Sequence, residues 1–213
     1  MKKIIIIDYG YGNIFSITSA IKHLGYDPIV SNNPDEISNA KVLILPGVGS
    51  FNQAMQSLRN LNLDIAIKYA VDNGAGLIGI CLGYQMLFES SNEFVKTKGL
   101  GFLKGDVISI EKYSSVYSRV PNVGWRPLKI TKDDSIIEFQ DGDMVYFVHS
   151  YIPQVKDKKI VIASINYGRK LIDVAIMKEN ILGFQFHPEK SGNIGLKILK
   201  SSLVDLINKK VKF

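Results

Sequence analysis

Apolar positions along this 213-residue chain follow two rhythms. Ile4 to Ile7, Val42 to Leu45 and Gly76 to Ile80 are short continuous apolar runs, the pattern of strands buried on both faces of a parallel sheet. Between them the period lengthens. Ile14, Ile17, Ile21 and Leu24 recur every three or four residues, which predicts a helix capped by Asn13 and closed by Gly25. His23 is then a polar residue of its last turn. A short strand is expected near Pro28-Ile29-Val30, and Asn33-Pro34-Asp35-Glu36 reads as a helix start with a cap and a proline at the first position. Two helical segments follow from about Phe51 to Val71, stopped by Asn73-Gly74. Strand and helix thus alternate over the first ninety residues, as right-handed crossovers in a parallel sheet require.

From Leu100 to Gln185 the rhythm changes to short β-branched and aromatic runs between turns, among them Asp141-Gly142, Asn166-Tyr167-Gly168 and Glu179-Asn180. These predict antiparallel strands added to the sheet or a second small sheet. An amphipathic helix over about Ile194 to Asn208 closes the chain. No linker or internal repeat interrupts it, so one α/β domain over residues 1–213 is expected, with a mostly parallel central sheet flanked by helices.

Composition narrows the function. Hydrophobic residues are 46% and charged residues 22%, a globular balance that excludes disorder. The net charge of +6 is modest and its lysines are scattered, so nucleic-acid binding is not expected; the Lys209-Lys210-Val211-Lys212 run reads as a solvated tail. One cysteine and three histidines, His23, His149 and His187, exclude a disulfide framework and give no metal site. No apolar run reaches the length of a membrane span or a signal peptide, and the single thiol suits a reducing cytoplasm.

The most informative stretch is Gly79-Ile80-Cys81-Leu82-Gly83-Tyr84-Gln85. An apolar strand ends in Gly-x-Cys-x-Gly, and a helix is expected at once, from Gln85 to about Glu89. This is the cysteine form of the strand-turn-helix elbow that exposes a nucleophile, in which residues two positions either side must be small. A helix N-terminus there favours the thiolate, and the Leu82 amide points to where an oxyanion would form. A lone cysteine between Ile and Leu is otherwise a small buried hydrophobe; the paired glycines argue for the nucleophile. Such a thiol needs a base and a group to orient the base. His187, in Phe186-His187-Pro188-Glu189, ends an apolar strand, and Pro188 lets Glu189 converge on the ring and set its tautomer. His149, inside Tyr146-Phe147-Val148-His149-Ser150-Tyr151, is the competing base but has no adjacent carboxylate. The glycine-rich Pro46-Gly47-Val48-Gly49-Ser50 follows a second strand on the same sheet edge and could donate amides to an oxyanion. It lacks the Lys-Ser/Thr pair of a phosphate-binding loop.

These segments, in this order, resemble the triad-type (class I) glutamine amidotransferases. The resemblance runs end to end. Asp8-Tyr9-Gly10-Tyr11-Gly12-Asn13, Val120-Pro121-Asn122-Val123-Gly124-Trp125 and Tyr146 to Tyr151 make the chain similar, within that family, to glutaminase subunits of imidazole glycerol phosphate synthase. The resemblance implies a flavodoxin-like sheet, a Cys81-His187-Glu189 triad, and an oxyanion hole from Leu82 with Val48 and Gly49. It also implies that Gln85, Ser150 and Tyr151 hold L-glutamine. No cofactor is implied. The implied partner is a (β/α)8-barrel synthase subunit, docked on the face with Asn13 and Lys190, which receives the ammonia and makes imidazole glycerol phosphate and AICAR. Asn122, Arg126 and Tyr84 depart from the resembled pattern, where histidine, asparagine and methionine are usual. They leave open a paralogue donating ammonia to surface-polysaccharide amino-sugar synthesis. A stand-alone cysteine hydrolase and a non-catalytic interaction module are compatible with the same fold.

Overall fold

The structure, a computed structural model, describes residues 3–113, 119–132, 136–168 and 170–209. Most of the Lys209–Lys212 run therefore lies outside the described residues. The alternation expected at the start is present: β1 (Ile4–Ile7), α1 (Ile14–His23), β2 (Ile29–Ser31), α2 (Pro34–Ser38) and β3 (Val42–Leu45). After them come α3 (Phe51–Asn60), α4 (Leu63–Asp72), β4 (Gly76–Ile80) and α5 (Leu82–Met86). Asn13 caps α1 by accepting from the Ser16 amide at 3.2 Å, and the Asn33 side chain accepts from Asp35 and Glu36 at the start of α2.

The later strands are β5 (Phe88–Ser91), β6 (Thr97–Lys98), β7 (Leu103–Ser109), β8 (Asn122–Pro127), β9 (Lys129–Ile130) and β10 (Met144–His149). Then follow β11 (Tyr151–Pro153), β12 (Val161–Tyr167), β13 (Lys170–Lys178) and β14 (Ile181–Phe184), before α6 (Gly192–Asn208). Both outcomes allowed for the second half occur. The main sheet has the order β2-β1-β3-β4-β14-β13-β12-β9. Its first five strands are parallel, and β13, β12 and β9 follow, each antiparallel to the strand before it in the order. A β8–β10 ribbon and a four-stranded sheet, β11-β7-β5-β6, stand apart from it.

Because side chains alternate across a strand, each apolar run feeds both faces of the sheet. Ile4, Ile6, Ile44 and Ile78 pack with Ile17 and Ile21 of α1 and Ile198 and Leu203 of α6. Ile5, Ile7, Leu43 and Leu77 pack with Met55 and Leu58 of α3 and Ile67 of α4. Each fully buried Ile or Leu contributes about 1.5–3 kcal/mol of transfer free energy, so the sheet centre is a rigid platform for its strand ends.

One element differs from expectation. The helix expected over Gln85–Glu89 is instead Leu82–Met86, of the same length but three residues earlier, because Phe88, Ser90 and Ser91 pair, across an irregularity in register, with Leu103, Asp106 and Val107 of β7. Long-range ladder bonds outweigh local helix preference there.

Candidate active site

Cys81 follows β4 directly, with φ 56° and ψ −109°, a conformation costly for any residue with a Cβ. It is held by its amide donating to the Phe184 carbonyl at 2.7 Å, which anchors it to the neighbouring β14. The glycines are steric necessities. A Cβ on Gly79 would come within 2.9 Å of the Gly83 oxygen and the Tyr84 nitrogen, and one on Gly83 would overlap the Leu45 carbonyl.

The parallel pairing of Ile80 with Phe184 also explains how His187 reaches Cys81 across more than a hundred residues: both leave the carboxyl ends of adjacent strands. His187 is fixed by its amide donating to Tyr146 O at 2.9 Å, and Pro188–Lys190 forms one tight 3-10 turn after it. That turn brings Glu189 back to the ring, with His187 Nδ1 to Glu189 Oε1 at 2.8 Å and both side chains 3% exposed. Nε2 is buried and meets no partner at full hydrogen-bond geometry, and the Cys81 sulfur, which lines the same pocket, interacts with it short of that geometry. Burial works against the charged imidazole. The sulfur and Glu189, through hydrogen bonding and charge, outweigh burial and push it up to about 10. The ring is thus an imidazolium at neutral pH, and it rather than the five-residue α5 supplies positive charge beside the sulfur.

A pocket of about 260 Å³ opens here, lined by Val48, Gly49, Cys81, Leu82, Gln85, Glu93, Val148, His149, Ser150, Tyr151 and His187. That volume suits a ligand smaller than a drug. Every residue singled out in the sequence for the triad, oxyanion and substrate, except the orienting Glu189 behind His187, lines it. The Cys81 sulfur lies 3.8 Å from Val148 O, and Gln185 Nε2 donates to it at 3.8 Å. Gln85 Nε2 donates to Tyr151 O at 2.8 Å and to Gln185 Oε1 at 3.1 Å, so Gln85 braces the pocket wall. The Leu82 amide is engaged, donating to Gly47 O at 3.3 Å.

Sequence reasoning missed Glu93. It lies in a polar stretch after β5, with no motif around it. It is 9% exposed and accepts from the Phe51 amide, at the start of α3, at 2.7 Å. Burial raises its carboxyl pKa, while that amide works the other way. His149, the competing base, is buried with Nδ1 on Tyr151 O at 3.0 Å and Nε2 on Asn122 Nδ2 at 2.9 Å. Burial and the nearby His187 push it down to about 4 despite the Tyr151 carbonyl. Both ring nitrogens are thus committed to groups other than the sulfur.

Beside the pocket, Trp125 meets Tyr146 edge-on at 6.0 Å and is half exposed, next to exposed Val123 and Val148. Lys190 is exposed, and α1, capped by Asn13, packs against the Pro188–Lys190 turn, so the two expected partner-facing residues come from adjoining elements. No described helix is long and apolar enough to cross a membrane.

A flavodoxin-like strand order with a cysteine elbow, a buried His-Glu pair and a small pocket defines a class. The chain belongs to the class I glutamine amidotransferases: the model of that family matches residues 5–206. It is therefore a glutamine amidotransferase. Among curated relatives, it is 43% identical to "Imidazole glycerol phosphate synthase subunit HisH" of Lactococcus lactis subsp. lactis (strain IL1403), over 97% of this chain and all of that protein. It is 44% identical to the protein of the same name from Caldanaerobacter subterraneus subsp. tengcongensis (strain DSM 15242 / JCM 11007 / NBRC 100824 / MB4), over 92% and 95%. A chain in the solved PurLQS structure from Thermotoga maritima shares the fold at 20% identity and TM-score 0.73, covering 97% of this chain and all of that one.

Proposed function

We propose that this chain is the glutaminase subunit of an imidazole glycerol phosphate synthase, working in the cytoplasm with a (β/α)8-barrel cyclase subunit. The observation that carries the chemistry is the buried His187–Glu189 pair at 2.8 Å, with His187 lining the pocket that the strained Cys81 also lines. The 43–44% identity to HisH subunits over nearly the full chain supports the pathway.

L-glutamine enters with its carboxamide toward Cys81. Glu93, the pocket carboxylate not committed to His187, takes the α-ammonium, while the backbone of Ser150 and Tyr151, braced by Gln85, closes the opposite wall. The Cys81 thiolate attacks the amide carbon and the carbonyl becomes an oxyanion. His187, oriented by Glu189, gives its Nε2 proton to the leaving nitrogen, and ammonia departs from a thioester. His187 then takes a proton from water as that water attacks the thioester, releasing glutamate and restoring the thiolate–imidazolium pair.

The oxyanion is stabilised by the amide of Leu82 and by backbone at Val48-Gly49. In the lone chain the Leu82 amide is held by Gly47 O, which supports a resting state with an incomplete oxyanion hole. A shift of the 47–49 backbone, driven by the barrel subunit on the Asn13 and Lys190 face, frees it. Ammonia passes to that subunit, where ring closure yields imidazole glycerol phosphate and AICAR for histidine biosynthesis.

Complementation tests this reading. Expression in a histidine auxotroph lacking only its glutaminase subunit, together with the cognate barrel subunit, restores growth. Failure with both chains folded and associated favours the amino-sugar paralogue.

A further inference from the structure

Asn122 and Arg126, both unusual for the resembled pattern, meet beside the pocket. Asn122 is fully buried, and Arg126 lies four residues on along β8, half-buried, with Nε 3.1 Å from Asn122 Oδ1. Asn122 Nδ2 is 2.9 Å from His149 Nε2, and His149 Nδ1 is 3.0 Å from Tyr151 O. The ends of this chain fix its polarity. A guanidinium only donates, so the amide oxygen of Asn122 must face Arg126 and its NH2 must face His149. A carbonyl only accepts, so the His149 proton must sit on Nδ1. Each link then has one donor and one acceptor, and only a neutral His149 satisfies all of them. The Tyr151 carbonyl at the end of this line is the one that Gln85 also grips at 2.8 Å.

We propose that Arg126, Asn122 and His149 are positioning residues: Arg126 orients the Asn122 amide, Asn122 fixes His149 as the Nδ1–H tautomer, and that proton holds the Tyr151 carbonyl where the glutamine pocket needs it. The role at the pocket rests on the glutaminase reading; the tautomer does not. None of the three touches the reacting atoms. Their effect is on how well the Ser150–Tyr151 wall is set before glutamine arrives, so it falls on KM more than on kcat.

The test uses the full chain labelled with 15N-histidine, in which only His23, His149 and His187 contribute ring signals. Nitrogen shifts report the tautomer directly. The wild type shows a neutral His149 protonated at Nδ1. Arg126→Lys, still a donor, keeps that signature. Arg126→Glu presents an acceptor, turns the Asn122 amide over and moves a proton onto His149 Nε2. Asn122→Asp, close to isosteric, puts an acceptor against Nε2 and makes His149 an imidazolium. With saturating barrel subunit, Arg126→Glu raises the KM for glutamine about tenfold, the scale of one lost hydrogen bond, and changes kcat less than about threefold. Arg126→Lys recovers most of that rise. A wild-type His149 protonated on Nε2, or a tautomer unchanged in both Arg126→Glu and Asn122→Asp, overturns the relay. If the wild-type complex itself fails to hydrolyse glutamine, the glutaminase reading falls while the tautomer result still judges the relay.

Discussion

Replacing Glu189 with Gln isolates the contribution of one negative charge to the site. The side chains are nearly isosteric, and the amide oxygen can still accept from His187 Nδ1 at the 2.8 Å contact. What is lost is charge, in a place where both partners are 3% exposed and solvent screening is weak. With charge centres roughly 4 Å apart and an effective dielectric near 20, the attraction is about 4 kcal/mol, or about 3 pK units. His187, held at about 10 in the wild type, should then titrate near 7. Two measurements follow from that shift. At pH 8, one unit above a pKa near 7, roughly a tenth of the ring stays charged, so the reconstituted complex should lose about tenfold in kcat if the imidazolium protonates the leaving ammonia. Stability should respond with a defined sign. A folded pKa near 10 above an ordinary value of 6.5 means the pair's contribution is complete below pH 6.5 and fades as pH rises towards 10. In Glu189→Gln that fading should be finished by about pH 7.5. Urea midpoints between pH 6 and 10 and a 15N titration of His187 provide the readouts. A His187 pKa within one unit of wild type, with kcat within about threefold, would refute the electrostatic reasoning.

Four further outcomes are expected. Glu93→Gln should raise the KM for glutamine by about 10²-fold with a smaller change in kcat, read by steady-state ammonia release; an unchanged KM removes Glu93 from the α-ammonium site. Gly83→Ala should cost about 3 kcal/mol or more in urea unfolding, since its Cβ would overlap the Leu45 carbonyl. Cys81→Gly should be more stable than Cys81→Ala by about 1 kcal/mol, the reverse of the usual order, because φ 56° with ψ −109° strains any residue with a Cβ. His149, pushed down to about 4, binds its proton more weakly folded than unfolded, so stability should fall as pH drops from 6.5 towards 4. His149→Gln should flatten that acid slope.

The sequence and the structure agree most closely where chemistry depends on local backbone. Gly79, Cys81 and Gly83 spell the elbow because its tight turn admits nothing larger, and Pro188 announces the turn that returns Glu189 to His187. The four-residue apolar runs reveal buried parallel strands for the same reason: burial on both faces leaves no room for polar residues. What local pattern does not carry is pairing at a distance. The β5–β7 ladder ends the helix after Cys81 at Met86, three residues before the expected end, and nothing within Phe88–Ser91 alone signals it. Glu93 escapes notice because an acidic residue in a polar loop is ordinarily solvated. Only folding sets it against the Phe51 amide and inside the pocket. The line from Arg126 through Asn122 to His149 and Tyr151 likewise joins β8 with β10 and β11, residues that no sequence spacing brings together.

The central claim is that a glutamine-derived carbonyl meets the Cys81 sulfur. Incubating the intact complex with diazo-oxo-norleucine, a glutamine-like alkylating agent, and mapping the adduct by peptide mass spectrometry tests it most directly. One equivalent should attach at Cys81, in step with loss of ammonia release, with glutamine protecting and Cys81→Ala abolishing the label. An adduct at another residue, or loss of ammonia release while Cys81 stays unmodified, would contradict the account.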